Sequence, residues 1–152
     1  MCGIAGIFHL DSERPVDVSI LAAMAAIQQH RGPDGCGWHA VDGRGVGMAH
    51  ARLAIIDLHD TGHQPLVAPG ERWMMTHNGE FYDYARIRTD LTTRGARFRT
   101  KSDSEIVLHL VERYGLDESL PHLRGEFAFG LYDKERDELL LVRDRFGIKP
   151  LY

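Results

Sequence analysis

The sequence predicts an α+β fold in which antiparallel strands and helices stack in layers as a sandwich. Two observations support this prediction. Strand-like segments are mixed with amphipathic helical segments, and several neighbouring strands are close enough in sequence to form hairpins. Residues 127–132 and 139–142 are almost continuously apolar, which is typical of strands buried on both faces. Such strands need a layer on each side, so we expect a sandwich rather than a doubly wound parallel sheet.

The amino-terminal part is predicted to contain several strands and one helix. Residues 2–8 are expected to form a strand, and glycine and proline in residues 31–35 are expected to end the helix that follows it. Short apolar segments around Trp38, at 46–49 and at 53–56 favour antiparallel strands. Five apolar residues are predicted to form one face of the helix: Val16, Ile20, Leu21, Met24 and Ile27.

The remaining part is predicted to add two helices and the last hairpin. Residues 73–76 favour a strand, after which Asn78 and Gly79 are expected to form a turn. Gly95 is expected to end a second helix in the left-handed conformation. Residues 102–105 (SDSE) have the form of a capping box, so a third helix is expected to begin there. The apolar stripe of the second helix is predicted at Tyr84, Ile87 and Leu91.

The composition limits the classes of function. A chain of 152 residues that is 43% hydrophobic can bury the core of one domain, so folding needs neither disulfides nor metals. Its two cysteines, Cys2 and Cys36, form no disulfide framework, which makes a reducing cytoplasm the expected location. No apolar run reaches the ~20 residues that cross a bilayer. The net charge of −4 comes from interspersed signs, which argues for a small-molecule ligand rather than nucleic acid.

The most informative residue is Cys2, which directly follows the initiator methionine. Methionine is normally removed before a small residue, and its removal would give Cys2 both a thiol and a free α-amine. The unperturbed pKa of an α-amine is about 7.7 to 8.0, so part of it is neutral near pH 7 and can accept a proton. One residue could therefore supply a nucleophile and its base. The alternative is a small buried side chain in a strand.

An amide hydrolase built on a cysteine also needs hydrogen-bond donors for the oxyanion. The side-chain amide of Asn78 and the backbone N–H of Gly79 are the candidates in this sequence. The alternative is that the same Asn-Gly pair is an ordinary hairpin turn.

Two charged residues could hold an amino-acid substrate. Arg52 interrupts an apolar segment and could grip an α-carboxylate with its guanidinium fork. Asp103 could accept an α-ammonium. Each has an alternative without a substrate: Arg52 could pair with Asp57, and Asp103 could stabilise the first turn of a helix. The sequence leaves both alternatives open.

No metal or nucleotide site is expected. Among nine histidines only His59 and His63 have a suggestive spacing, and they flank an apparent loop. Neither a G-x-x-x-x-G-K-[ST] loop nor a strand-linked G-x-G-x-x-G occurs. Cys36 has no nearby base in sequence, so we expect it to be structural or incidental.

A resemblance to a known family adds to these expectations. The segments MCGIAGIF, HRGPDG, HARLAIIDL, QPL, NGEFYDY, SDSE, LRGEFAFGLYD and RDRFGIKPLY occur in this order. Together they resemble the glutaminase domain of glutamine-hydrolysing asparagine synthetases, over essentially the whole chain. Related amidotransferases with an N-terminal nucleophile share the MCGI start, but they typically read RGYD or RGQD where this chain has RGPD. They also tend to have an aromatic residue at the position of Leu53.

The resemblance implies a fold and a set of site residues. The fold is a four-layer αββα sandwich of the N-terminal-nucleophile hydrolase type, with antiparallel sheets. Cys2 would be the nucleophile after loss of Met1, and Asn78 and Gly79 would form the oxyanion hole. The residues implied to bind glutamine are Arg52 for its α-carboxylate, Glu80 and Asp103 for its α-amine, and the backbone of Ile55 and Ile56.

Two departures qualify the resemblance. The family often reads NGEIYN where this chain has NGEFYD at residues 78–83, which bears on the ammonia acceptor. Family members also continue beyond the IKPLY segment with further strands and a large synthetase domain. We therefore expect residues 1–152 to be a glutaminase domain truncated at its carboxyl end, without the synthetase domain. Such a chain is expected to aggregate readily, because an apolar sheet face would be uncovered.

The implied activity is hydrolysis of L-glutamine to glutamate and ammonia through a thioester, with no cofactor. In a complete enzyme the synthetase domain would use ATP and Mg²⁺ to convert aspartate to asparagine with that ammonia. The expected partners are L-glutamine and that domain, with a homodimer as one arrangement, and neither nucleic acid nor a membrane. Three alternatives stay open: an amidotransferase serving another activated carboxylate, a non-catalytic glutamine-binding fragment, and an unfolded gene product.

Overall fold

In a computed structural model, which describes residues 1–11 and 13–152, the chain forms two antiparallel sheets faced by helices. The first sheet has the strand order β1-β3-β2 and the second has the order β4-β5-β6-β7. The strands are β1 (Gly3–Phe8), β2 (Gly35–Ala40), β3 (Val46–Arg52), β4 (Leu66–Val67), β5 (Trp73–Phe81), β6 (Gly125–Asp133) and β7 (Glu138–Arg143). The helices are α1 (Val18–Ile27), α2 (Tyr84–Thr93), α3 (Glu105–Tyr114) and α4 (Leu116–Ser119), with short 3₁₀ turns at Asp60–Gly62 and Leu120–His122. None of the helices in the described residues is long and apolar enough to cross a membrane.

The first sheet is covered by α1 along a narrow stripe. Leu21 and Ala25, one turn apart, are the buried residues of this helix. The sheet has Gly47 under the helix, where a Cβ would lie only 2.6 Å from the Leu21 Cδ1 atom. The prediction that Ile20 and Ile27 belong to the apolar face was wrong, since they are 48% and 78% exposed. Both residues lie roughly 100–120° around the helix from Leu21, which turns them away from the sheet.

The second sheet packs its outer face on α2 and α3. Apolar side chains of β5 and β6, including Phe81, Phe129 and Leu131, form one buried cluster with the apolar stripes of these helices. The predicted helix containing Ile87 and Leu91 is confirmed, and Gly95 follows it with φ +96°. Because the opposite faces of the two sheets also pack on each other through Val46, Met48, Met74 and Tyr132, the layers run helix, sheet, sheet, helix. The predicted four-layer αββα sandwich is confirmed.

Two local predictions, one of a strand and one of a turn, were wrong. Residues 53–56 form a loop, because β3 ends at Arg52 and the Asp34 carboxylate accepts the Ala54 N–H at 2.8 Å. The Asn78–Gly79 pair is not a turn but lies inside β5, opposite Ala128 and Phe127 of β6. The long register with β6 overrides the local preference for a turn.

The last hairpin is confirmed, but only one of its strands is buried on both faces. β6 lies between β5 and β7 and is buried along most of its length. β7 is the edge strand and is only partly buried, with Leu141 60% exposed. Apolar composition alone does not distinguish an inner strand such as β6 from an edge strand such as β7.

The third helix begins where the sequence predicts, but the capping-box contact is absent. The residue before α3 is Ser104, whose side chain makes no capping bond. The Glu105 carboxylate instead accepts the N–H groups of Arg99 and Thr100 at 2.8 and 2.7 Å and the Thr100 hydroxyl at 2.8 Å. Burial favours the neutral acid, but His109 and these donors outweigh it and lower the Glu105 pKa to about 2. Glu105 therefore fixes the segment that leads from residue 99 into α3.

We predict that Glu105→Gln lowers the free energy of unfolding by about 2 kcal/mol at pH 7, because buried donors lose a charged acceptor. The folded-state pKa of about 2 lies below the unfolded value of 4.5. The carboxylate thus contributes stability above pH 4.5 that is lost as the pH falls through about 2. Denaturant unfolding between pH 7 and 2 tests this, with the exposed Glu118→Gln as control. Equal destabilisation at both ends of that range would contradict it.

Candidate active site

A cavity of about 110 Å³ lies where the end of β3, the middle of β5 and the segment before α3 meet. Cys2, just before β1, and the first residues of β6 complete its wall. Its lining includes all eight residues singled out from the sequence: Cys2, Arg52, Ile55, Ile56, Asn78, Gly79, Glu80 and Asp103. These residues come from four separate stretches of the chain, and the structure brings them together. Their individual roles stay predictions.

Cys2 is held at the cavity by backbone on two sides. Its Sγ atom accepts the Leu53 N–H at 3.3 Å and lies 3.7 Å from the Leu53 carbonyl oxygen, to which the thiol can donate. The Arg31 Nε–H donates to the Cys2 carbonyl oxygen at 3.1 Å. Met1 also lines the cavity and is 55% exposed. Removal of Met1 would therefore place the α-amine of Cys2 at the cavity wall.

Asn78 projects from β5 toward the first sheet. Side chains alternate along a strand, so Asn78 and Glu80 share a face with Met74, which packs between the sheets. Asn78 is buried, and its Oδ1 atom has no hydrogen-bond partner among residues 1–11 and 13–152. Because no hydrogen bond within these residues fixes the Oδ1 atom, the Asn78 amide can direct its NH₂ group at a ligand.

Gly79 occupies a place that no other residue fits. Its φ is +142°, and a Cβ there would lie 2.0 Å from the Glu126 carbonyl oxygen on β6. Gly125 repeats the arrangement from the other strand, with φ +149° and a Cβ position 2.0 Å from the Glu80 carbonyl oxygen. The two glycines let β5 and β6 approach closely next to Asn78 and Glu80.

Arg52, the last residue of β3, is oriented by backbone carbonyls. Its guanidinium donates to the Asp57 carbonyl oxygen and, at 3.0 Å, to that of His59. The Asp57 carboxylate accepts the N–H groups of His59 and Lys101, so the contact between Arg52 and Asp57 is with the main chain. Gly62 leaves room for the guanidinium, because a Cβ there would lie 2.4 Å from Arg52 Nη2. A guanidinium held in this way has further N–H donors for a ligand carboxylate.

Asp103 supplies a buried carboxylate on the opposite side. Its Oδ2 atom accepts the Phe81 N–H at 2.8 Å, which ties the segment before α3 to the end of β5. Burial raises the pKa of Asp103 above its ordinary value, the N–H groups of Phe81 and Ser104 oppose the rise, and the charge of Glu80 adds to it. A ligand ammonium between Glu80 and Asp103 would favour the charged carboxylate and offset the cost of burial.

Sequence reasoning missed a buried polar network in the wall of the cavity. His77 Nδ1 lies 2.8 Å from Ser104 Oγ, Gln64 Oε1 accepts the His77 N–H at 2.6 Å, and His50 Nε2 lies 3.1 Å from the His77 carbonyl oxygen. Burial is the main cause that lowers the pKa of His50 to about 4 and that of His77 to about 3. Both rings are therefore neutral near pH 7. A sequence signal was available for three of them, because His50, Gln64 and Ser104 lie in the quoted family segments and His77 directly precedes NGEFYDY.

Other sequence candidates lie elsewhere. Cys36 is on β2, opposite Ala51, and does not line this cavity. Within the part of the chain that the structure describes, no group of three or more His, Cys, Asp or Glu residues could hold a metal ion.

Comparisons with known proteins agree with this geometry. Residues 1–152 match the family described as glutamine amidotransferase domain. The chain belongs to this family. It is 38% identical to asparagine synthetase B of Escherichia coli over its full length and 41% identical to the amidase chry2 of Gibberella zeae. It spans only 26% and 24% of these two relatives, about a quarter of their length.

The fold also matches a solved structure of a glutamine phosphoribosylpyrophosphate amidotransferase from Bacillus subtilis. The TM-score is 0.75 at 23% sequence identity, and the match covers 97% of this chain and 38% of that one. At this identity the likeness concerns the fold. It agrees with the layer order of this glutamine amidotransferase domain.

We predict that Gly79→Ala disrupts the cavity wall, because the new Cβ would meet the Glu126 carbonyl oxygen at 2.0 Å with φ at +142°. Thermal unfolding should show a loss of at least ~2 kcal/mol, or β5 and β6 should separate locally. The control is Gly130→Ala on β6, where a Cβ has no neighbour within 3.6 Å. Equal melting temperatures for the two variants would show that the close approach at Gly79 carries no strain.

Proposed function

We propose that this domain hydrolyses L-glutamine to glutamate and ammonia, with Cys2 as nucleophile once Met1 is removed. The observation that supports this is the composition of a single cavity. It places the Cys2 thiol, the Asn78 amide, the Arg52 guanidinium and several carboxylates, those of Glu80 and Asp103 among them, within one small volume. These groups match a zwitterionic amino acid whose side chain ends in an amide. Family membership makes glutamine the expected substrate.

Binding would orient the substrate by its two charges. The Arg52 guanidinium would take the α-carboxylate, and Glu80 with Asp103 would take the α-ammonium. The backbone of Ile55 and Ile56, in the loop after β3, would line the same end. The side-chain amide would then extend toward Cys2 and Asn78.

The first chemical step would be attack by sulfur. The neutral α-amine of Cys2 takes the thiol proton, and Sγ forms a bond to the side-chain carbonyl carbon of glutamine. The carbonyl oxygen becomes an oxyanion, for which the Asn78 amide and the Gly79 N–H are the proposed donors. Collapse of this intermediate breaks the C–N bond, and the leaving nitrogen takes the proton back from the α-ammonium as ammonia departs.

The second step would be hydrolysis of the thioester. The α-amine accepts a proton from water, the oxygen attacks the thioester carbon, and the C–S bond breaks. Glutamate leaves and the thiol regains its proton. This sequence needs no cofactor.

A second proposal concerns the domain that receives the ammonia. We infer that it passes to a synthetase domain that uses ATP and Mg²⁺ to convert aspartate to asparagine in the cytoplasm. Support comes from relatives named asparagine synthetase, which include two Bacillus subtilis proteins at 38% identity. Residues 1–152 would lie in the glutaminase domain of such a protein.

A second candidate is an amidotransferase that serves a different activated carboxylate. Two relatives at 41% and 45% identity are named as amidases, chry2 and chyE. The NGEFYD segment has Phe81 and Asp83 where the family often has isoleucine and asparagine, and these two residues are compatible with either acceptor. The protein that carries the synthetase domain can be supplied with aspartate or with other carboxylates. The carboxylate that supports glutamine-dependent ATP consumption then distinguishes the two candidate functions.

We predict that Cys2→Ala reduces glutamine hydrolysis to background while glutamine binding stays measurable by calorimetry. The substitution removes the nucleophile and leaves the proposed charge contacts. A glutamine-derived diazoketone should label Cys2 and spare Cys36, and intact mass should show that Met1 is absent. Cys36→Ala is the matched control and should retain turnover. Substantial turnover by Cys2→Ala would contradict the proposed mechanism.

We predict opposite kinetic effects for two neighbouring residues. Arg52→Ala should raise KM for glutamine more than it lowers kcat, since a carboxylate grip is similar in the ground and transition states. Asn78→Ala should lower kcat by roughly 10²-fold, because its amide faces charge that develops only during attack. Steady-state kinetics test both, with the exposed Arg136→Ala as control. The reverse pattern would mean that the two roles are exchanged.

A further inference from the structure

Lys149 places a buried ammonium group in the wall of the glutamine cavity, and the proposed mechanism does not use it. The residue lines the cavity and is only 6% exposed. Its Nζ atom lies 3.1 Å from Glu126 Oε2. Lysine is almost never buried unless it is paired, so the position of this group calls for an explanation.

The chain around Lys149 is built to hold it in place. The Asp144 carboxylate accepts the N–H groups of Phe127, Ile148 and Lys149 at 3.2, 3.0 and 3.0 Å. The Arg143 Nε–H donates to the Lys149 carbonyl oxygen at 2.8 Å. This loop is therefore fixed to the start of β6, next to Glu126.

Glu126 is the direct cross-strand partner of Glu80 in the β5–β6 register. Directly opposed residues of an antiparallel pair share a face, and like charges in such positions repel. Both carboxylates line the cavity together with Asp103. Glu80 and Asp103 are proposed to bind the substrate ammonium, so Glu126 is the carboxylate left without a substrate charge to balance it.

Glu126 is also adjacent to the proposed oxyanion donors. Its backbone carbonyl oxygen lies 2.0 Å from the Cβ position that Gly79 leaves empty. Its side chain is on the same face as Asn78, because Asn78 is two residues from Glu80, the cross-strand partner of Glu126. An unbalanced carboxylate on this residue would oppose the negative charge that develops on the substrate oxygen. In a partly buried site this repulsion is weakly screened.

We propose that Lys149 is a positioning residue that neutralises Glu126 and so keeps the wall beside Asn78 and Gly79 free of unbalanced negative charge. This inference rests on the proposed function, because it takes Asn78 and Gly79 as the oxyanion donors. Lys149 acts through Glu126 and does not touch glutamine. Its loss should therefore slow attack by sulfur more than it weakens substrate binding.

The test is a double-mutant cycle on the full chain, in which one or both charges of the pair are removed. Lys149→Met should lower kcat for glutamine hydrolysis about tenfold or more and change KM by less than about threefold. Adding Glu126→Gln to Lys149→Met removes both charges and should restore kcat to within about threefold of the unmodified chain. Lys149→Arg keeps the charge and should retain most of the turnover. Lys134→Met, whose lysine is 43% exposed and 3.9 Å from Glu71, is the control and should be unchanged.

A second readout does not require turnover. A glutamine-derived diazoketone labels Cys2 when its diazo carbon takes a proton, Sγ bonds to that carbon and N₂ leaves. Its ketone oxygen would lie against Asn78 and Gly79, so the labelling rate also depends on the charge beside these donors. It should fall in Lys149→Met and recover in the double variant. If the unmodified chain is labelled but does not hydrolyse glutamine, the proposed hydrolysis fails, and the labelling rates still decide the role of Lys149.

Two results would overturn the inference. A folded double variant that is as slow as Lys149→Met in both assays would show that the lysine does not act through Glu126. A Lys149→Met variant with unchanged rates would show that Glu126 needs no neutralisation. If Lys149→Met alone fails to fold, the double variant, which buries no charge of this pair, still gives either the restored or the impaired rate.

Discussion

The register between β5 and β6 is the constraint on which the rest of the structure depends. It pairs Trp73 with Asp133 at one end and Phe81 with Gly125 at the other. A slip of one residue would exchange the two faces of β5. Asn78 would then point at the helices, and Met75 would leave the apolar cluster that anchors α3. The same pairing therefore determines both the core and the cavity.

Loops at the ends of the strands are held by a few polar contacts that converge on Cys2 and the loop after β3. Arg31 donates to the Cys2 carbonyl oxygen, and the Asp34 carboxylate accepts the Ala54 N–H. Gly32 makes this possible, because a Cβ there would lie 2.3 Å from the backbone of Ala51. The HRGPDG segment thus secures both Cys2 and the loop after β3. Its family resemblance has a structural cause as well as a functional one.

The sequence predicted the layers and the cavity residues better than the local turns. Apolar periodicity was sufficient for α2 and α3, because their stripes cover a sheet. It failed for Ile20 and Ile27, since α1 buries only the narrow stripe of Leu21 and Ala25 against the three-stranded sheet. Asn78 and Gly79 were expected in a turn, but long-range pairing with β6 outweighs that local preference. Lys149 could not be placed from sequence because only the Asp144 loop carries it to the cavity.

The charged groups that line the cavity are held in different ways. Arg52 is fixed by main-chain carbonyls, which orient its guanidinium without neutralising it. Asp103 is buried, and its raised pKa shows that the carboxylate is costly to keep charged without a nearby cation. A ligand with a carboxylate at one end of its backbone and an ammonium at the other offsets both costs at once. If Glu80 and Asp103 bind an α-ammonium as proposed, amides without an α-amino acid group would leave both carboxylates unbalanced and would bind less tightly.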